Sequence, residues 1–259
     1  MVSYKNNNIL KYNNLKHTHK LKSVVLTLKK MCIIVLASSA LTTKLFGQNL
    51  QLSSKREVTL GSSMILLSGA SFYLSQHYNT PSNTWQIKGI DQWNQPYLNK
   101  RKATISDITF ISTLAASTLS GLALPKQQHL AYGVVMAQNV WLTANVVQIS
   151  KVLVGRNRPY VKGTGLIEEE HSDNYYSFFS GHSALCATMA TTALLATYKN
   201  YNGSALNWGK ATALSGVALA LSTGILRITA GKHYPSDVLT GLIVGTSIAL
   251  INTMLHETK

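Results

Sequence analysis

Three short stretches of this chain gather cationic, histidine and carboxylate side chains at spacings that suit an oxyanion. The first runs from Lys151 to Pro159 and carries Lys151, Arg156 and Arg158. Lys151 and Arg158 are about two helical turns apart, so a helix over this stretch would present both on one side, with Pro159 ending it. Arginine offers a planar fork to phosphate oxygens and lysine a mobile point charge. The second stretch is Ser180-Gly181-His182. Ser-Gly before a helix exposes backbone N–H groups to an anion, and His182 can donate a proton. The third sets Arg227, His233 and Asp237 in one run. His233 and Asp237 are four positions apart, so in a helical turn the carboxylate can hold one ring nitrogen and leave the other free to attack. Each stretch has a plainer reading. Basic residues suit a helix C-terminus, Ser-Gly suits a helix start, and a His–Asp pair with Ser236 suits an N-cap.

Taken in order, Lys151-x6-Arg158-Pro159, Ser180-Gly181-His182 and Arg227-x5-His233-x3-Asp237 resemble the signature of the type-2 phosphatidic acid phosphatase superfamily. That superfamily also holds bacterial class A acid phosphatases and vanadium haloperoxidases. The resemblance implies a phosphatase that needs no metal or other cofactor and works through a phosphohistidine. His233 would be the nucleophile, Asp237 its orienter and His182 the general acid. Lys151, Arg158 and Arg227 would bind phosphate, helped by the Ser180 side chain and the Gly181 N–H. Two positions depart from the usual pattern: Phe179 stands where proline is usual, and Leu226 where serine is usual. Neither removes a charged or proton-transferring group. The expected substrate is a phosphorylated lipid, as monoester or diphosphate. The alternatives are a soluble periplasmic acid phosphatase acting on small phosphomonoesters, and a vanadium-dependent oxidoreductase using the same anion site. Short length counts against the last.

The elements that must position these groups read as helices. Six apolar segments follow one another, 58–74, 104–124, 129–154, 182–198, 211–228 and 238–255, and none has the alternation of a strand. Only 13% of residues are charged, against about 25% in ordinary soluble domains. Ser, Thr, Ala and Gly dilute the apolar runs, as they do where helices pack closely in a bilayer. The expected fold is all-α: a bundle of about six helices, membrane-embedded, over residues 48–259.

Residues 1–30 carry seven lysines and no acid. Such a stretch fits nucleic acid, an anionic membrane or a targeting sequence. The apolar run Met31–Thr43 behind it selects the third, so residues 1–47 are expected to be a signal or N-terminal anchor and no nucleic-acid partner is expected. Related six-span enzymes place this site outside the cytoplasm, so the expected location is a multi-pass membrane protein whose site faces the periplasm or cell exterior. A cleaved leader before six full spans would reverse that side. Cys186 is the sole cysteine beyond the leader and is expected to pack. Glu168–Glu170 and Asp173 read as a solvated acidic loop. Arg156 and Lys232, at variable positions of the motifs, would add positive potential or touch substrate.

Overall fold

The computed structural model describes residues 49–78, 84–164, 172–200 and 207–257; the expected leader and the acidic run Glu168–Glu170 lie outside them. The described chain forms seven α-helices: α1 (Ser54–His77), α2 (Lys100–Leu122), α3 (Lys126–Val154), α4 (Pro159–Thr164), α5 (Gly181–Asn200), α6 (Trp208–Thr229) and α7 (Pro235–Leu255). Six are the apolar segments read from sequence. The seventh, α4, falls in a stretch expected to be loop.

Local chemistry sets the ends. Asn99 caps α2 by accepting from Lys102 N at 3.0 Å, and Asn207 caps α6 by accepting from Lys210 N at 2.9 Å. Gly155, at φ +56°, ends α3. Pro159 therefore does not terminate the preceding helix, as the sequence suggested. It opens α4, where its missing N–H has no partner to lose. Arg158 consequently lies off the α3 axis, not two turns along it.

Helix α5 is the centre, packed against α2, α3, α6 and α7, while α1 packs chiefly on α3. The buried face of α5 is mostly small, with Ala184, Ala187, Ala190, Ala193 and Ala196 beside Cys186 and Met189. On the facing helix α7, a Cβ at Gly245 would lie 2.1 Å from the Ala184 carbonyl oxygen, and one at Gly241 would lie 2.7 Å from that of Ser180. The two backbones touch only because both positions are glycine.

The interior holds polar groups that satisfy one another. Asn139 donates to Thr192 at 2.8 Å, Asn252 donates to Asn139 at 2.8 Å, and Thr143 pairs with Thr188 at 2.8 Å. Large apolar residues instead point outward, among them Ile65, Leu66 and Phe72 on α1, Ile108 and Ile111 on α2, and Ile251 on α7. A water-soluble bundle would bury these side chains. Lipid reverses the preference, because it solvates the apolar exterior and leaves polar groups to pair inside. Helices α1, α2, α3, α6 and α7 are each long and apolar enough to cross a membrane.

Long-range contacts sort the helix ends into two sets. Asp107 near the start of α2 meets His182 at the start of α5 and Arg227 at the end of α6. Arg156 just beyond α3 meets Asp237 at the start of α7. At the other end, Leu50, Leu124, Tyr132 and Ala196 pack together, and Leu50 bridges to Glu257 beyond α7. All three sequence clusters therefore lie at one end of the bundle.

Candidate active site

His233 sits in the turn between α6 and α7. Its backbone N–H and that of Lys232 donate to Arg227 O at 3.3 and 3.1 Å, which ties the turn to the last helical turn of α6. Gly231, at φ +77°, lets this turn press against the backbone of Gln95 and Tyr97. The His233 side chain is 1% exposed, and its Nδ1 lies 2.8 Å from the Ser177 carbonyl oxygen. A carbonyl only accepts, so Nδ1 carries the proton and Nε2 keeps its lone pair. Burial, then Arg158, Arg227 and Lys151, push the imidazole pKa well below the ordinary 6.5, although the Ser177 bond acts the other way.

Asp237 was expected to hold that imidazole directly. Its Oδ2 is 3.7 Å from Nδ1, beyond a hydrogen bond. It accepts instead from Ser177 Oγ at 2.6 Å and from Tyr234 N at 2.9 Å, and it receives Arg156 Nη1 on Oδ1. The reason is register: His233 precedes the N-cap Tyr234, and Asp237 is the third residue of α7, where a carboxylate turns back to the cap N–H. Asp237 thus fixes the Ser177 segment, whose carbonyl fixes the imidazole.

Arg156 is the core of this scaffold. Besides Asp237 it donates to Asp91 Oδ2 at 2.6 Å and Ser236 Oγ at 2.8 Å. The Trp85 and Tyr234 rings lie 3.9 and 4.0 Å from its guanidinium carbon. It is fully buried and does not line the cavity, so it acts as a strut instead of a substrate contact.

In front of His233 opens a cavity of about 580 Å³. His233, His182, Lys151, Arg158 and Arg227 all line it, drawn from α3, α5, α6 and two loops. Ser180 and Gly181 do not. The Ser180 hydroxyl, expected to help bind phosphate, pairs with Ser183 Oγ at 2.9 Å and caps α5, because the first turn of a helix needs an acceptor there. Gly181 leaves room for its neighbours: a Cβ there would lie 3.2 Å from Val147 and 3.8 Å from Lys151 Nζ.

Asp107, Lys100 and Lys232 also line the cavity. Asp107 Oδ1 lies 3.1 Å from His182 Nε2 and 3.2 Å from Arg227 Nη1. Sequence reasoning passed over Asp107, Asp91 and Ser177. None belongs to a cluster, and the role of Ser177 rests partly on a backbone oxygen. Cys186 is buried against Met189, Ala190 and Ala220, as expected of a packing residue.

A family model described as the PAP2 superfamily matches residues 128–259, about half of the chain and all three clusters, and the chain belongs to that family. It is also similar to a protein named undecaprenyl-diphosphatase from Sulfolobus acidocaldarius, at 29% identity over 113 residues. The aligned region is 43% of this chain and 48% of the relative, so the chain spans about half the length of that protein. No solved structure matches it.

Proposed function

We propose that this chain is a membrane phosphatase that removes the terminal phosphate of a lipid phosphate or diphosphate through a phosphohistidine. The observation that carries the reading is His233. It is buried and uncharged, its Nδ1 faces a carbonyl, and its ring lines a cavity shared with Lys151, Arg158, Arg227 and His182. In the proposed reaction Nε2 attacks phosphorus, the bond from phosphorus to the leaving oxygen breaks, and His182 gives that oxygen a proton. Water then attacks the phosphohistidine, His182 takes the proton of the water, the N–P bond breaks and inorganic phosphate leaves. The three cations balance the charge that spreads over the equatorial oxygens, a task that positioning and electrostatics perform without a metal. Asp107, 3.1 Å from His182 Nε2, favours the charged imidazole, while burial and then Arg227 outweigh it and bring the His182 pKa down to about 4, the acidity of a ready proton donor. The outward apolar faces and the name of the Sulfolobus relative support a lipid substrate.

Residues 1–47 are proposed to be the targeting or anchoring segment and residues 48–259 the catalytic body. The site is proposed to face the periplasm or cell exterior. An exterior site puts Leu50, at the end of the bundle away from the site, on the cytoplasmic side together with the basic residues 1–30, and so takes residues 1–47 as a segment that does not cross.

The test is phosphate release by the purified full chain in detergent with a chelator present. Activity should persist in chelator, and His233→Ala should lower kcat by at least about 10³-fold, the scale seen when a nucleophile is lost. Loss of activity on chelation, or an active His233→Ala variant, would sink the mechanism.

A further inference from the structure

A cradle that stabilises the charge of phosphoryl transfer also holds the inorganic phosphate it makes, because that product carries the same kind of charge. Lys100, Lys151, Arg158, Arg227 and Lys232 all line the cavity, so a multiply charged product faces five cations. Release of product limits turnover in many enzymes. Among the described residues that line the cavity, Asp107 is the one acid.

Its place is specific. A single oxygen, Oδ1, lies 3.1 Å from His182 Nε2 and 3.2 Å from Arg227 Nη1. These are two groups that the proposed reaction assigns to the substrate, the first to its leaving oxygen and the second to its equatorial oxygens. Arg227 Nη1 carries two N–H bonds, and it donates to two acceptors, Ser106 Oγ and Asp107 Oδ1, each at 3.2 Å. A phosphate oxygen bound at Nη1 must therefore displace one of them. The two acceptors differ in freedom. Ser106 is fully buried, and its hydroxyl donates to the Ala103 carbonyl at 2.6 Å, which fixes it. The Asp107 side chain is 54% exposed and can turn toward solvent. Ser106 then keeps the guanidinium in place while its neighbour gives way.

Resting on the phosphatase reading above, we propose that Asp107 is a displaceable counter-ion of the phosphate site, which yields Arg227 and His182 to the substrate and returns to them to expel inorganic phosphate. Because it is tethered to α2, it competes at an effective concentration set by the helix and not by the medium. While phosphate is still bound, the nearby carboxylate also repels it.

The experiment measures inhibition by orthophosphate of the full chain in detergent at constant ionic strength. The substrate is a water-soluble nitrophenyl phosphate, and release of the nitrophenol is the readout. Asp107→Asn keeps the shape and removes the charge. It should lower the Ki of orthophosphate about tenfold, the scale of one unit charge at close range in a partly wet site. Asp107→Ser should do the same, whereas Asp107→Glu restores the charge and should stay near the wild-type value. A residue that only orients His182 would, when lost, lower kcat and leave that Ki alone. A Ki that is unchanged or raised in both the Asn and Ser variants overturns the proposal, as does an equal fall in the Glu variant. Calorimetric titration of orthophosphate into each protein repeats the comparison without turnover, so a variant that has lost activity still decides the matter. Wild type that hydrolyses neither the nitrophenyl phosphate nor a lipid phosphate is a different result, because it rejects the phosphatase reading itself.

Discussion

At neutral pH the His233 imidazole is uncharged, because burial and the nearby Arg158, Arg227 and Lys151 all oppose its protonation. A nucleophile held neutral stays competent as the medium turns acidic. The acid limb of kcat/KM attributable to His233 should therefore lie well below pH 6.5, the ordinary histidine value. Removing one of the opposing cations raises the pKa, so Arg158→Gln should move that limb to higher pH as well as weaken binding. Substrate titration is common to both enzymes and cancels in the comparison; a limb at the same pH in both would refute the assignment. Stability follows the same sign. Below the unfolded value the denatured chain binds a proton that the native His233 refuses, so this residue destabilises the fold as pH falls. The cationic and histidine members of the site were legible because each stood in a spaced cluster. Asp107 was not, since its partners His182 and Arg227 are distant in sequence and nothing beside it in the chain signals a role. The Ser177 carbonyl could not have been, because a main-chain oxygen has no residue type.

Among the elements, the joint beyond α3 depends on one buried side chain. Arg156 faces two buried carboxylates, Asp91 and Asp237, so Arg156→Met would strand both without a counter-charge. The expected cost is about 3–5 kcal/mol, read as a lower melting temperature in detergent. A variant that melts with the wild type would show that the strut is dispensable. The α5–α7 contact should be as sensitive to added bulk. Gly245→Leu drives a side chain into the Ala184 carbonyl and should cost about 1–3 kcal/mol through forced separation of the helices, measurable in the same melt. The six long helices were legible from uninterrupted apolar runs. Helix α4 is hidden by a proline with two meanings: the sequence reads Pro159 as a stop, whereas Gly155 already ends α3 and leaves proline its favoured place at a helix start. Arg156 illustrates a related limit. Between Lys151 and Arg158 it reads as added positive potential or a substrate contact, and only the fold brings Trp85 and Asp91 around it.

For the whole molecule, the distribution of polarity decides the solvent. Sequence left open whether the shorter helices were buried in a soluble body; the outward Ile, Leu and Phe side chains and inward Asn and Thr pairs favour lipid. Sidedness then follows from which helix ends share a face. Because the end of α7 lies opposite the site, a reporter fused to the C-terminus reads the side that the site does not face. The outward-facing proposal expects a cytoplasmic signal there; a signal from the exterior would place the site on the cytoplasmic face. The feature behind this test also bears on how the bundle can be re-cut. Gln51 N donates to His256 O at 2.7 Å beside the Leu50–Glu257 bridge, so incoming and outgoing chain lie side by side. Within residues 49–257 this juxtaposition suits circular permutation: with residues 1–48 removed, a short linker could join the two stretches and a new opening be made at a loop of the same end, with α5 still in the middle. In that sense the order of the helices is a matter of where the thread is cut, while their arrangement around α5 is not.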